Sequence, residues 1–335
     1  MDWSDPKRAV LLILLAAWAS VAGTRPADAD FQKALKTGKT EMKRFEHGGL
    51  KRSYGLYIPA SYDQSKRVPL LVALHGGGCN AKNWPRITRN GFERLAEQTP
   101  FILVYPEGLK RQWNNERRGE KNDAQKNKVD DLGFITSLID YLTEKFSIDK
   151  NRIYLTGVSD GGMMAHYFAA RHADKVAAMA TVIASIPKNL EGTLAPGRPI
   201  PVLMINGTDD PLILWNGGLI KVGRKICGSV ISVEEAVNFW VKHNACHETP
   251  IMSNLPDRDP DDGTTVQAFR YDSGKSGCEV ILYKIIGGGH TWPAYVDTRG
   301  WLMKKAITRA LGRKSRDIDA CEIIWKFFED HPKLP

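Results

Sequence analysis

The sequence predicts an α/β fold with a mostly parallel central sheet flanked by helices. Two observations point to it. Short apolar runs rich in Val, Ile and Leu recur along the chain, as expected of strands buried on both faces. Stretches of helical periodicity fall between them, and strands alternating with helices imply right-handed crossovers and parallel pairing.

The elements follow in order. Residues 52–59 (RSYGLYIP) alternate and read as an outer strand, and residues 69–75 (PLLVALH) form a continuous apolar run that ends in three glycines. Residues 101–105, 152–156, 176–184 and 201–206 repeat that buried-strand character, and residues 280–286 continue it. Helices are expected around residues 84–97, 132–146, 160–171 and 233–243, with a final helix near Asp319, whose side chain can cap it. Residues 110–130 are long, polar and without periodicity, so they read as a loop or small lid beside the site. The 335 residues, 42% hydrophobic and 25% charged, show no repeat, low-complexity tract or linker. One catalytic domain over residues 30–335 is expected.

The first residues differ in kind. Lys7 and Arg8 precede the apolar run 9–22, and small and polar residues follow it, which is the layout of a signal peptide ending at Ala22, or at Ala29. A membrane anchor is the competing reading, but the run is shorter than the roughly 20 residues a span needs, and Trp18 and Ser20 interrupt it. A secreted or periplasmic protein without a stable membrane anchor is expected. The net charge of +9 raises nucleic acid or an anionic surface as partner. The basic residues are scattered, however, and their clusters at 111–128 and 304–316 include acids or apolar helix positions. A solvated basic face, with no nucleic-acid partner, is the better reading.

Gly157-Val158-Ser159-Asp160-Gly161 fits G-x-S-x-G between an apolar strand and a helical stretch. A tight strand-to-helix turn with small flanking residues lifts the serine oxygen above the strand ends, where it can act as a nucleophile. Such a hydroxyl needs a base, and the base needs a carboxylate that orients it. Past the strand at 201–206 come Asp209 and Asp210, and past the strand at 280–286 comes Gly287-Gly288-Gly289-His290. Acids and bases collect at such strand ends, and the order Ser, Asp, His is that of the α/β-hydrolase fold. Asp209 competes with Asp210 for the orienting role. His75 precedes the serine and is expected to shape its loop, while His166 and His172 point to packing or solvent. The loop His75-Gly76-Gly77-Gly78 can offer the Gly77 N–H, with that of Asp160, to a developing oxyanion.

Residues 74–78 (LHGGG), 157–162 (GVSDGG), 207–211 (GTDDP) and 287–293 (GGGHTWP) resemble the secreted polyhydroxybutyrate depolymerase and feruloyl esterase family. The resemblance runs from about Leu50 to the C-terminal helix. It implies a single-domain α/β-hydrolase that uses no metal or organic cofactor and cleaves carboxylic esters through an acyl-enzyme. By motif, Ser159 is the nucleophile, His290 the base and Asp210 its orienter. Residues 129–134 (VDDLGF) also match the family, with Asp131 expected to cap the following helix. Trp113 and Trp292 are candidates for an aromatic wall around the acyl or phenolic group, with packing under a loop as the alternative for Trp113. Trp215 and Cys79 depart from the family, where tyrosine and glycine are frequent.

The five cysteines are Cys79, Cys227, Cys246, Cys278 and Cys321, an odd number. Cys246–Cys278 is the preferred disulfide, because the pair flanks the loop and strand that lead to His290. His243 and His247 lack a third metal ligand, and residues 257–262 lack the spacing of a calcium loop. Three functions follow in order of preference: a feruloyl- or acetyl-type esterase, a hydrolase of poly(3-hydroxybutyrate) or its oligomers, and a non-catalytic binding protein on a hydrolase scaffold.

Overall fold

An apolar run can be buried on both faces only inside a sheet, and the chain places each such run there. The computed structural model describes residues 36–118, 122–295 and 300–333; the leader at 1–22, with either cleavage point, lies outside the described residues. Residues Thr37–Pro335 pack as one unit. Strands β1 (Glu41–His47) and β2 (Leu50–Tyr57) form a hairpin turned at Gly48 and Gly49, both at positive φ. Strand β3 (Val68–Leu74) leads into helices α1 (Trp84–Ile87) and α2 (Gly91–Gln98), followed by β4 (Ile102–Pro106). Helices α3 (Asp123–Lys126) and α4 (Asp131–Lys145) precede β5 (Ile148–Val158), α5 (Asp160–Arg171), β6 (Ala178–Val182) and β7 (Val202–Gly207). A separate hairpin, β8 (Gly218–Val222) and β9 (Lys225–Val230), comes before α6 (Val233–Asn244). Strands β10 (Ile251–Asn254), β11 (Thr265–Tyr271) and β12 (Val280–Ile286) and helices α7 (Trp301–Leu311) and α8 (Ala320–Asp330) complete the order.

The main sheet runs β1-β2-β4-β3-β5-β6-β7-β12-β11-β10. Its centre, from β4 to β12, is parallel, and both edges are antiparallel. This is the expected α/β-hydrolase architecture. Helices α2 and α8 help cover one face: Tyr154 of β5 stacks on Phe328 at 4.7 Å between ring centroids, and Phe101 on Trp325 at 3.8 Å. Asp319 caps α8 as expected, its Oδ1 accepting from the Cys321 N–H at 2.9 Å.

Three expectations need correction. The helix foreseen around 84–97 is broken at Arg89 and Asn90, both at positive φ, which an α-helix cannot contain; Gly91 then opens the second helix, where a Cβ would overlap Cys321 Sγ. The cap of α4 is Asp130, whose Oδ1 accepts from the Gly133 N–H at 2.8 Å; Asp131 lies one residue further on, buried against Arg52 at 2.6 Å. Cys246 and Cys278 are neighbours, with Cys246 Sγ 3.7 Å from the Cys278 carbonyl oxygen, but all five cysteines are free thiols in this structure. Burial raises both thiol pKa values, that of Cys278 to about 11, so each stays protonated at neutral pH.

His166 is a core residue. Its Nδ1 accepts from Trp240 Nε1–H at 3.0 Å, and complete burial pulls its pKa down to about 3. Between an unfolded value near 6.5 and that folded value, the unfolded chain binds a proton that the folded chain refuses, so acid favours unfolding. The cost of moving from pH 7 to pH 5 is about 2 kcal/mol for this residue alone. His75, lowered by burial in the same direction, adds to it. Urea unfolding of His166→Gln is expected to show lower stability at pH 7 but a pH 7-to-5 loss smaller by about 2 kcal/mol. An unchanged pH slope would contradict the assignment.

Candidate active site

Ligands collect at the carboxyl ends of parallel strands, and four of these strands carry the expected motifs there. The glycine loop follows β3, Ser159 follows β5, Asp210 follows β7 and His290 follows β12. Ser159 has φ 52° and ψ −116°, a strained conformation held by its N–H donating to the Val182 carbonyl at 3.0 Å. The glycines of the pentapeptide have a steric reason. A Cβ at Gly157 would overlap the Gly161 carbonyl, and one at Gly161 would overlap the carbonyl oxygens of Leu74 and His75.

His290 Nε2 lies 3.0 Å from Ser159 Oγ, and His290 Nδ1 lies 2.8 Å from Asp210 Oδ2. Asp210 is buried, and its other oxygen accepts from the N–H groups of Leu212 at 2.8 Å and Ile213 at 2.9 Å. The competing Asp209 is exposed and bonds its neighbour Thr208 instead. The base loop is clamped on two sides. Asp209 N–H donates to the Gly288 carbonyl at 2.9 Å, and Gly289 N–H to the Arg313 carbonyl at 2.8 Å. Close backbone approach at Gly207, Gly288 and Gly289 is what the glycines of both motifs permit.

Gly76 and Gly77 lie against Val158, Ser159 and Asp160. Gly78 N–H donates to the Arg111 carbonyl and Cys79 N–H to the Gly76 carbonyl. The N–H groups of Gly77 and Asp160 have no acceptor among the described residues. His75 shapes this loop as expected: its Nε2 accepts from the Gly108 N–H at 2.9 Å, which leaves Nδ1–H to donate to the Gly76 carbonyl.

Trp113 does not line the site. It is fully buried, with Nε1–H donating to the His75 carbonyl at 2.8 Å and its ring 4.9 Å from the His75 ring, so it supports the glycine loop from beneath. Within the segment foreseen as a loop or small lid, residues 113–117 run inside, with Trp113, Asn115 and Arg117 buried. Asn115 Nδ2–H donates to Asp160 Oδ1 at 2.7 Å, Arg117 pairs with the same oxygen at 2.8 Å, and Asn114 N–H donates to Asp131 at 2.7 Å. Asn115 and Arg117 were not legible as site residues, because nothing in a polar aperiodic stretch announces which side chains turn inward.

Ser159 and His290 open into a cavity of about 780 Å³. Val158, Met163, Ile183, Ile213 and Ile220 give it apolar walls, and Trp292 contributes while packing on Trp84 at 5.4 Å. The β8–β9 hairpin supplies one side. Cys79 also lines it, whereas Trp215 lies outside it, under Lys284 at 4.8 Å. His243 is spent on the Arg198 carbonyl at 2.9 Å, and His247 lies beside Asp272.

The family model described as Esterase PHB depolymerase matches residues 52–187. The protein named "Putative esterase NocK" from Nocardia uniformis subsp. tsuyamanensis is 30% identical over 269 residues, 78% of this chain and 76% of that one. Feruloyl esterase C of Emericella nidulans is 26% identical over 86% of this chain and 98% of its own length. Feruloyl esterase B of Piromyces equi is 28% identical over 70% of this chain, which spans only 41% of that protein. Among solved structures, an acetyl xylan esterase from Aspergillus awamori superposes with a TM-score of 0.51 at 13% identity, over 75% of this chain and 94% of that one, and this likeness speaks for the fold. With the sheet order and the match at 52–187 in agreement, the chain belongs to the Esterase PHB depolymerase family, carboxylic-ester hydrolases on the α/β-hydrolase fold.

Proposed function

We propose that the chain is an exported serine carboxylic-ester hydrolase working through an acyl-enzyme, with feruloyl- or acetyl-type small aryl or polysaccharide esters as substrates. The observation that carries the reading is the Asp210–His290–Ser159 hydrogen-bond chain on an apolar cavity. In this mechanism Ser159 Oγ attacks the ester carbonyl while its proton passes to His290 Nε2. Asp210 keeps Nδ1 protonated and stabilises the imidazolium. The N–H groups of Gly77 and Asp160 receive the oxyanion, where preorganised donors act most strongly. His290 then protonates the departing alkoxide, the alcohol leaves, and water activated by His290 releases the acid from Ser159. Export is carried by the leader layout of residues 7–29, and among the described residues no helix is long and apolar enough to cross a membrane.

The substrate class is supported by the name of the Emericella nidulans relative, matched over nearly its whole length. A panel of methyl ferulate, acetylated xylan, hydroxybutyrate oligomers and short p-nitrophenyl esters tests it, with a fluorophosphonate probe to test the nucleophile. Labelling confined to the Ser159 peptide and turnover of ferulate or acetyl esters are expected. An unlabelled protein would sink the serine mechanism and favour the non-catalytic scaffold, and faster turnover of oligomers would move the substrate to the hydroxyalkanoates.

A further inference from the structure

We propose that Arg117 keeps the oxyanion site electrically neutral by holding and compensating the carboxylate of Asp160; the proposal rests on the hydrolase mechanism above and adds a positioning residue to it. The residue after the nucleophile brings an acid into the site. In that mechanism its N–H is one of the two donors that receive the oxyanion, yet its side chain is a carboxylate shut off from solvent, 1% exposed. A Cβ on Gly77, the other donor, would lie 3.5 Å from Asp160 Oδ2. The carboxylate is therefore within about 6 Å of the Gly77 nitrogen, where the transition state gathers negative charge. Like charges at that separation, screened by little water, repel strongly, so a bare carboxylate there would slow attack on the ester.

The structure answers the acid from one segment. Trp113 N–H donates to Asp160 Oδ2 at 3.3 Å, Asn115 Nδ2–H donates to Oδ1 at 2.7 Å, and the Arg117 guanidinium stands 2.8 Å from the same Oδ1. The first two donors are neutral, and among the described residues only Arg117 forms an ion pair with Asp160. Arg117 is itself buried and lines the cavity with Ser159. Its Nε is buried without a partner, so the guanidinium forgoes a hydrogen bond to sit beside the acid. Gly228 of β9, at φ 103°, has no room for a Cβ against the Arg117 carbonyl, and this close approach packs the hairpin onto the same segment. Asp131, the buried acid that takes the Asn114 N–H, likewise has its own arginine, Arg52 at 2.6 Å. Any donor could pin Asp160. Only a cation cancels its charge.

Three variants separate the two roles on a short p-nitrophenyl ester. Arg117→Gln keeps a donor and drops the charge, Arg117→Lys keeps the charge, and Arg117→Gln combined with Asp160→Asn removes both charges while leaving the backbone N–H of residue 160. Arg117→Gln is expected to lower kcat about a hundredfold with KM within a few-fold, and Arg117→Lys less than about tenfold. The double variant is expected to regain at least about tenfold over Arg117→Gln. A residue that merely braced the loop would give the reverse, since a second substitution in one brace leaves the protein as slow or slower. A parent-like kcat for Arg117→Gln, or a double variant no faster than Arg117→Gln, overturns the proposal while the hydrolase reading stands. If melting curves show Arg117→Gln unfolded, Asp160→Asn alone decides: it leaves an uncompensated cation beside the oxyanion, so kcat is expected to rise, and a kcat at or below the parent's overturns the proposal. A parent protein that turns over no ester and takes no label at Ser159 overturns the hydrolase reading, and the proposal with it.

Discussion

Replacing Ser159 with alanine is expected to lower kcat on a short p-nitrophenyl ester by about a million-fold, with KM changed only a few-fold. The size follows from what the oxygen does. In the proposed mechanism the acyl group is carried on Ser159, so its loss removes the two-step route and leaves water to attack directly. His290, Asp210 and the two N–H groups would remain, which is why about a thousand-fold acceleration over the uncatalysed reaction should persist. KM should move little because the hydroxyl contributes mainly in the transition state. Alanine inherits the strained backbone at φ 52°, and its Cβ already has room there, so the fold should be kept. A variant that retains more than about one part in a hundred of the rate would place the nucleophile elsewhere.

How much of this was readable in advance depends on why each residue is where it is. Strands β3, β7 and β12 were legible because burial on both faces demands an apolar run, and α5 because it combines a fixed start after the elbow with a helical period. Strand β1, with Glu41, Lys43 and Arg44 in its sequence, and β10, exposed along its whole length, sit at the sheet edges, where burial imposes no pattern. The hairpin β8–β9 escaped for the same reason, since Ile220 is buried but Leu219, Lys221 and Val222 are exposed.

The same division runs through the site. Ser159, Asp210 and His290 were legible because the proposed chemistry requires particular residue types just past strand ends. Trp113 had two readings, a wall of the site or packing under a loop, and the sequence left both open because only the hydrogen bond to the His75 carbonyl shows that it packs beneath the glycine loop. Arg86, Arg89, Lys225 and Lys314 were invisible for a different reason: each looks like an ordinary surface residue, and only the fold brings them to the lining of one cavity.

Asp210→Asn should lower kcat by about ten-thousand-fold while leaving the geometry in place. The surroundings of the carboxylate dictate how an amide would lie. One oxygen accepts from two backbone N–H groups, Leu212 and Ile213, and an asparagine must keep its carbonyl oxygen there or bury donors against donors. Its NH2 group then faces His290 Nδ1, which can only accept from it. The proton of the neutral imidazole is thereby forced onto Nε2, the nitrogen 3.0 Å from Ser159 Oγ, and that nitrogen can no longer take the serine proton. The loss is one of tautomer, so KM and thermal stability should change far less than kcat. Asp209→Asn is the control that separates the two acids: its side chain is exposed and bonds Thr208, so the rate should stay within a few-fold of the parent. The opposite pattern, with Asp209 critical and Asp210 dispensable, would mean that the base is oriented by a group other than the one it touches here.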